Sequence, residues 1–307
     1  MKYNMAVYVV GDFLRETRLR KGYTQEEVSY GICTTASLSR IENGAQKPGR
    51  LILEKLFERL GTENNLFNSF VSREEMELYS AIQELIRNVT DAEIDKIHKQ
   101  ILIVEKLTEN TSDLERQCLL FAKGELIKRK EKDYSTAIEW LMKAIHITLP
   151  DFDGENPLRN NLLTFDEIMI INGIAILHAK SGNVMTAIQL DMWLKEYMED
   201  KIVDGTMKKA KYPMIIYNLS NWFGNKQCHT EALKLADEGI NFCVKYGNLV
   251  ILPSLILNKG VALAELGDID DARKYLHQAI TIFDVMKKEE TIQSVLDWCK
   301  TRYNLEI

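Results

Sequence analysis

An all-α chain is predicted, and three observations predict it. Only five prolines interrupt 307 residues, at positions 48, 150, 157, 213 and 253. Apolar residues recur at spacings of three and four rather than two. No run of alternating β-branched residues offers a sheet. The predicted architecture is a compact N-terminal bundle of short helices followed by a long series of helical hairpins.

The first helix is expected over Asp12–Arg20, with Phe13, Leu14 and Leu19 as candidate core residues, and Lys21-Gly22 ends it. Thr24-Gln25-Glu26-Glu27 is a capping box: the Thr24 hydroxyl can accept from the Glu27 amide while the Glu27 side chain reaches back. It starts a second helix ending near Gly31. A third helix runs from Thr34 or Thr35 to Asn43 and stops at Gly44, with Leu38 and Ile41 facing the core. A fourth covers Leu51–Leu60, closed by Gly61. Glu74–Leu107 reads as longer helices, and Leu149–Thr164, with two prolines and three asparagines, is the one loop-rich stretch.

Composition narrows the function classes. Hydrophobic residues make up 46% and charged residues 27%, as in a soluble globular protein. Met5–Val10 is apolar but lacks a basic lead and a cleavage pattern, so it is not read as a signal peptide. No window approaches 18 uninterrupted apolar residues, so no membrane span is expected. Five scattered cysteines (33, 118, 228, 243 and 299) form no CxxC pair, which fits a reducing cytoplasm better than a disulfide framework. The net charge of −6 is uneven: residues 1–71 carry ten Lys/Arg against eight Asp/Glu. A weakly basic head on an acidic body permits DNA binding by the head alone.

Enzyme signatures are missing. The five histidines (98, 146, 178, 229 and 277) form no HExxH or i,i+4 pair, and neither GxGxxG, GxxxxGK[ST] nor GxSxG occurs. Carboxylate pairs such as Glu26-Glu27 and Asp270-Asp271 fall at helix starts, where they complement the dipole. No catalytic residue, metal site or cofactor is expected.

The string TQEEVSYGICTTASLSRIENGAQKPG, Thr24 to Gly49, resembles the lambda-repressor/Cro-type helix-turn-helix. Its short turn before the third helix is similar to that of the peptide-responsive Rgg/PlcR/PrgX regulators. The likeness covers about Gly11–Leu60. It implies that the third helix enters the major groove and presents Thr34, Thr35, Ala36 and Ser37, then Ser39 and Arg40, to base edges. Arg40 is the candidate for a bidentate guanine contact or a phosphate clamp. Gln25 matches the family's phosphate-contacting glutamine, and Asn43 and Lys47 sit where the family's loop meets the backbone. The plainer alternative makes Arg40 and Glu42 solvated face residues, and the threonines mere caps.

A weaker repeat fills the body. Lys132–Ala144, Gly182–Leu194, Gln227–Gly239 and Gly267–Ala279 each begin with a turn and place alanine sixth, at 137, 187, 232 and 272. Seven residues on comes Ala144, Gly239 or Ala279, with Leu194 departing. This resembles a long, degenerate tetratricopeptide array, which implies a right-handed superhelix with a concave groove. Pro213 and Pro253 suit first turns. Asn218 and Asn258 each precede their repeat's alanine by fourteen residues, so they occupy one equivalent position. In peptide-binding members of that family the position carries a groove-facing asparagine. Asn221 and Asn225 share the face of Asn218, and Asn172 lies one residue out of register in an earlier repeat. A carboxamide can donate and accept at once, so such a row can grip an extended main chain of roughly five to ten residues. The alternative is local: asparagines capping turns or bonding between neighbouring helices.

The expected domains are 1–71, which binds double-stranded DNA, and 72–307, which senses a ligand and dimerises. The resemblance implies a cytoplasmic quorum-sensing transcription regulator, a homodimer whose repeat domain binds a short signalling peptide. The competing class is an interaction scaffold whose groove holds a partner protein.

Overall fold

A computed structural model describes residues 2–62, 73–89, 93–108, 112–156, 162–200 and 205–303. Among them are fifteen α-helices and no strand. Helix α1 is Lys2–Arg20, α2 Gln25–Ser29, α3 Thr35–Glu42 and α4 Arg50–Arg59. Then come α5 (Arg73–Asn88), α6 (Ile94–Leu107), α7 (Asp113–Lys130), α8 (Tyr134–Ile145) and α9 (Phe165–Lys180). The rest are α10 (Val184–Asp200), α11 (Gly205–Asn225), α12 (His229–Tyr246), α13 (Leu252–Glu265), α14 (Ile269–Val285) and α15 (Glu289–Tyr303).

The chain divides into two compact units, one of residues 1–190 and 199–205, the other of 191–198 and 206–307. In the first, Leu14, Val28, Leu38, Ile41, Leu56, Phe57 and Leu60 close the core of the head. That core is not self-contained, because Leu114 of α7 and Leu162, just before α9, are buried in it. Burying two such side chains contributes about 1.5–3 kcal/mol each.

Small residues set the spacing of the body helices. Leu141 of α8 wedges against both Gly124 of α7 and Gly173 of α9, where an added Cβ would meet its methyls at 2.1 and 2.8 Å. In the second unit, Leu255 of α13 fills the space over Gly239, and Leu276 of α14 the space over Gly260. The repeat alanines 137, 187, 232 and 272 are all buried, on α8, α10, α12 and α14. The signature therefore marks the second helix of each hairpin.

Three expectations need correction. Helix α1 begins at Lys2 rather than near Asp12. Leu19 is 57% exposed and lies outside the core, because Thr17 and Arg18 take the inward positions of the last turn. Pro213 sits inside α11 rather than in its first turn. A mid-helix proline has no N–H for the carbonyl four residues back. Here the Asn248 amide donates to that carbonyl, Lys209 O, at 3.0 Å, filling the vacancy. Pro253 does lie in the first turn of α13.

Candidate nucleic-acid interface and peptide groove

Helix α3 is built to show one face. Its other face buries Leu38, Ile41 and Glu42. Glu42 is clamped by Arg18 of α1 through Nε at 2.7 Å and Nη2 at 2.8 Å, a two-pronged pair. Gln25 Nε2 donates to the same Glu42 at 2.8 Å, and Arg18 also donates to Tyr23 O at 3.0 Å. Glu42 strengthens the Arg18 guanidinium's hold on its proton, first by the hydrogen bond. Glu42 is thus not a solvated face residue, as the plainer alternative held: it fixes α3 against α1 and α2. Gln25, at the start of α2, is half-buried through this bond.

The opposite face is open. Thr34, Thr35, Ala36, Arg40, Asn43 and Lys47 are exposed, and Ser37 and Ser39 are half-exposed. Thr34 is the N-cap of α3, its Oγ1 accepting from Ser37 N at 3.1 Å and donating to Ser37 Oγ at 3.0 Å. The capping alternative for Thr34 is therefore occupied geometry, and it coexists with exposure. Asn43 is the C-cap of α3, and Gly44 follows at φ 68°, the left-handed conformation that ends the helix. The Thr24–Glu27 capping box is present, with Thr24 N donating to Glu27 at 2.6 Å.

Sequence reasoning did not find what lies behind the head. Arg59, at the end of α4, pairs with Glu167 of α9 at 2.8 Å with both side chains fully buried, and also donates to Tyr30 O. Glu167 simultaneously closes the capping box of α9, accepting from Thr164 N at 2.6 Å. One turn back on α4, Lys55 lies 2.9 Å from Glu58, 2.9 Å from Asp166 of α9 and 3.7 Å from Glu54. Glu58 Oε2 also accepts from Phe165 N at 2.9 Å. Tyr30 OH donates to Asp151 at 2.9 Å. Gly31, at φ 68°, packs so closely on Thr148 that a Cβ would lie 2.1 Å from its carbonyl oxygen.

The asparagine row is mixed. Asn218 is buried on α11 and donates to Asp191 of α10 at 3.2 Å. Asn258 is half-buried on α13 and donates to Tyr217 O of α11 at 3.4 Å. Both amides therefore bond to an earlier helix, Asn218 to a side chain of α10 and Asn258 to the backbone of α11, in line with the local alternative. Asn221 and Asn225 are exposed, and Asn172 is buried on α9. Around α11, Tyr212 OH and Lys195 both reach Glu238, the latter at 3.2 Å.

No helix of the described residues is long and apolar enough to cross a membrane. Residues 9–70 match a helix-turn-helix domain model, and residues 156–304 match the RNPP family C-terminal domain. The head is similar to YqaF of Bacillus subtilis, an uncharacterized HTH-type transcriptional regulator, at 38% identity over 63 residues, 20% of this chain and 83% of YqaF. The fold is similar to that of Bacillus thuringiensis PlcR in complex with the peptide PapR7 and DNA, with TM-score 0.61 at 20% identity, covering 94% of this chain and 98% of PlcR. Apo PlcR gives TM-score 0.59 at 18% identity with the same coverage.

Proposed function

We propose, on the premise that this chain belongs to the RNPP family of helix-turn-helix regulators, that it is a DNA-binding transcription regulator whose repeat domain binds a short signalling peptide. The observation that carries the reading is the exposed row of α3 on a helix whose back is held by Arg18 and Glu42. Such a face can enter a major groove without local rearrangement. Thr34, Thr35, Ala36, Ser37, Ser39 and Arg40 would meet base edges, and Gln25, Asn43 and Lys47 the sugar-phosphate backbone. Gln25 shares its amide with Glu42, so its phosphate contact would be pre-oriented. PlcR, whose fold this chain shares, binds DNA and a peptide in its complex, and we extend that pairing of ligands here.

For the peptide, the free amides are the better anchors. Asn221 and Asn225 are exposed on α11, and Asn258 keeps an acceptor oxygen beside its bond to Tyr217. Asn218 would act mainly by holding α11 to Asp191. We place the protein in the cytoplasm as a homodimer, and assign it no catalytic role. The test has two arms: selection of bound fragments from a random DNA pool followed by salt-controlled titration, and mass spectrometry of small molecules released from the purified protein. Binding that shows no sequence preference, with no peptide released or accepted from a synthetic library, overturns the reading.

A further inference from the structure

Two buried carboxylates, Glu54 and Asp166, and the partly buried Glu58 converge on one ammonium, Lys55, where α4 of the head meets α9. The cationic neighbour one turn away, Arg59, is committed to Glu167 and Tyr30 O. From α7 the Cys118 thiol donates to Asp166 at 3.8 Å. From α5, Gln83 donates to Glu54 at 3.4 Å, and Tyr79 hydrogen-bonds to the same carboxylate. Even so, Glu54 Oε2 has no hydrogen-bond partner. A cluster with more buried negative charge than positive holds a proton, since an uncompensated buried carboxylate is costly.

We infer that this cluster is a proton-sensitive latch between the head and α9, tight when Glu58 is protonated and loosened when it ionises. The Glu58 carboxyl is pushed up to about 7, by burial first and by Asp166 and Glu54 next, against the pull of Lys55 and the Phe165 amide. A carboxyl raised in the closed junction favours closure at low pH. That contribution is fully present below the ordinary glutamate range and is lost as pH rises through 7. With an ordinary value of about 4.3 in the open state, closure weakens about tenfold between pH 6 and pH 8. The seating of α4 on α9 would then respond to pH. The device does not depend on DNA or peptide binding, because both partners of the contact lie in one chain.

The test uses the full chain and two reporters at the junction, the buried Cys118 thiol and the Phe165 amide that donates to Glu58. Alkylation of Cys118 by iodoacetamide is read peptide by peptide by mass spectrometry at pH 6 and pH 8, in the parent and in Glu58→Gln. Dividing the two rates at each pH cancels the intrinsic ionisation of the thiol. The ratio of parent to variant should rise about tenfold from pH 6 to pH 8, while buried Cys243 in the other unit keeps a constant ratio. If Glu58→Gln does not fold, hydrogen exchange of the parent's Phe165 amide, corrected for base catalysis, should show protection that falls about tenfold from pH 6 to pH 8 and levels off above 7. A ratio that is the same at both pH values, a Cys118 that never labels, or an equal rise at Cys243 each overturns the latch.

Discussion

Replacing Arg59 by methionine should be the most damaging single change in the head that leaves its apolar core untouched. The guanidinium pairs with Glu167, and neither side chain has any exposed surface. Removing the cation strands a carboxylate in a site with no access to water, which costs about 3–5 kcal/mol. Little of this can be recovered by relaxation, since Glu167 is fixed by its capping bond to Thr164 N. Glu167→Gln in the same chain removes the stranded charge, and glutamine still serves the capping box. The double variant should therefore recover most of the loss, in a cycle whose coupling term is on the order of 2–3 kcal/mol. In urea, with a slope of roughly 2.5 kcal/mol/M, Arg59→Met should shift the midpoint of the first unit down by about 1–2 M. Tryptophan fluorescence from Trp140 on α8 reports that unit once the other three tryptophans are replaced by phenylalanine. A shift under about 0.3 M, or a double variant no more stable than the single one, would refute the buried-charge argument.

Arg40→Ala should weaken operator binding by about 1–3 kcal/mol, concentrated at one base position, and leave the unfolding midpoint unchanged because the side chain is exposed. Gln25→Ala should weaken binding evenly across sequences, and the salt titration distinguishes the two. Gly31→Ala should destabilise the head by more than 1 kcal/mol in thermal unfolding, since it combines a left-handed φ of 68° with a contact on Thr148. Asn218→Ala should lower the stability of the second unit by about 1–3 kcal/mol by stripping a donor from buried Asp191. Asn221→Ala should instead weaken peptide binding in calorimetry with no loss of stability, since its side chain is exposed.

How much was legible in the sequence follows from the range over which each signal acts. The capping box at Thr24, the stops at Gly44 and Gly61 and the inward Leu38 and Ile41 are local patterns, and the structure reproduces them. The repeat alanines were legible because close approach of two helices demands a small side chain on the chain itself. Asn218 and Asn258 share one position relative to the repeat alanines, but their partners, Asp191 and Tyr217 O, lie 27 and 41 residues away, and no spacing rule reports such distances. Pro213 was misplaced because the residue that compensates it, Asn248, is 35 positions downstream of it.

The head–repeat junction shows the same limit in its sharpest form. Asp166 and Glu167 follow Thr164 at the start of α9, where carboxylates are expected simply to satisfy the helix dipole and the cap. Lys55, Glu58 and Arg59 sit on a helix with the charge spacing of a solvated face. Each segment taken alone reads as ordinary surface, and each set of charges is buried only because the other covers it. The apolar residues give a partial clue. Leu162 and Leu114 complete a head core that the first 62 residues leave open. A bundle whose core needs two leucines from more than 50 residues downstream cannot be an independent bead on a linker. The charges that flank those leucines must then be paired, or the docking would cost more than the apolar contact supplies. The buried pairs of α4 and α9 are therefore a consequence of the unfinished core, and they make the head's position a property of α7 and α9.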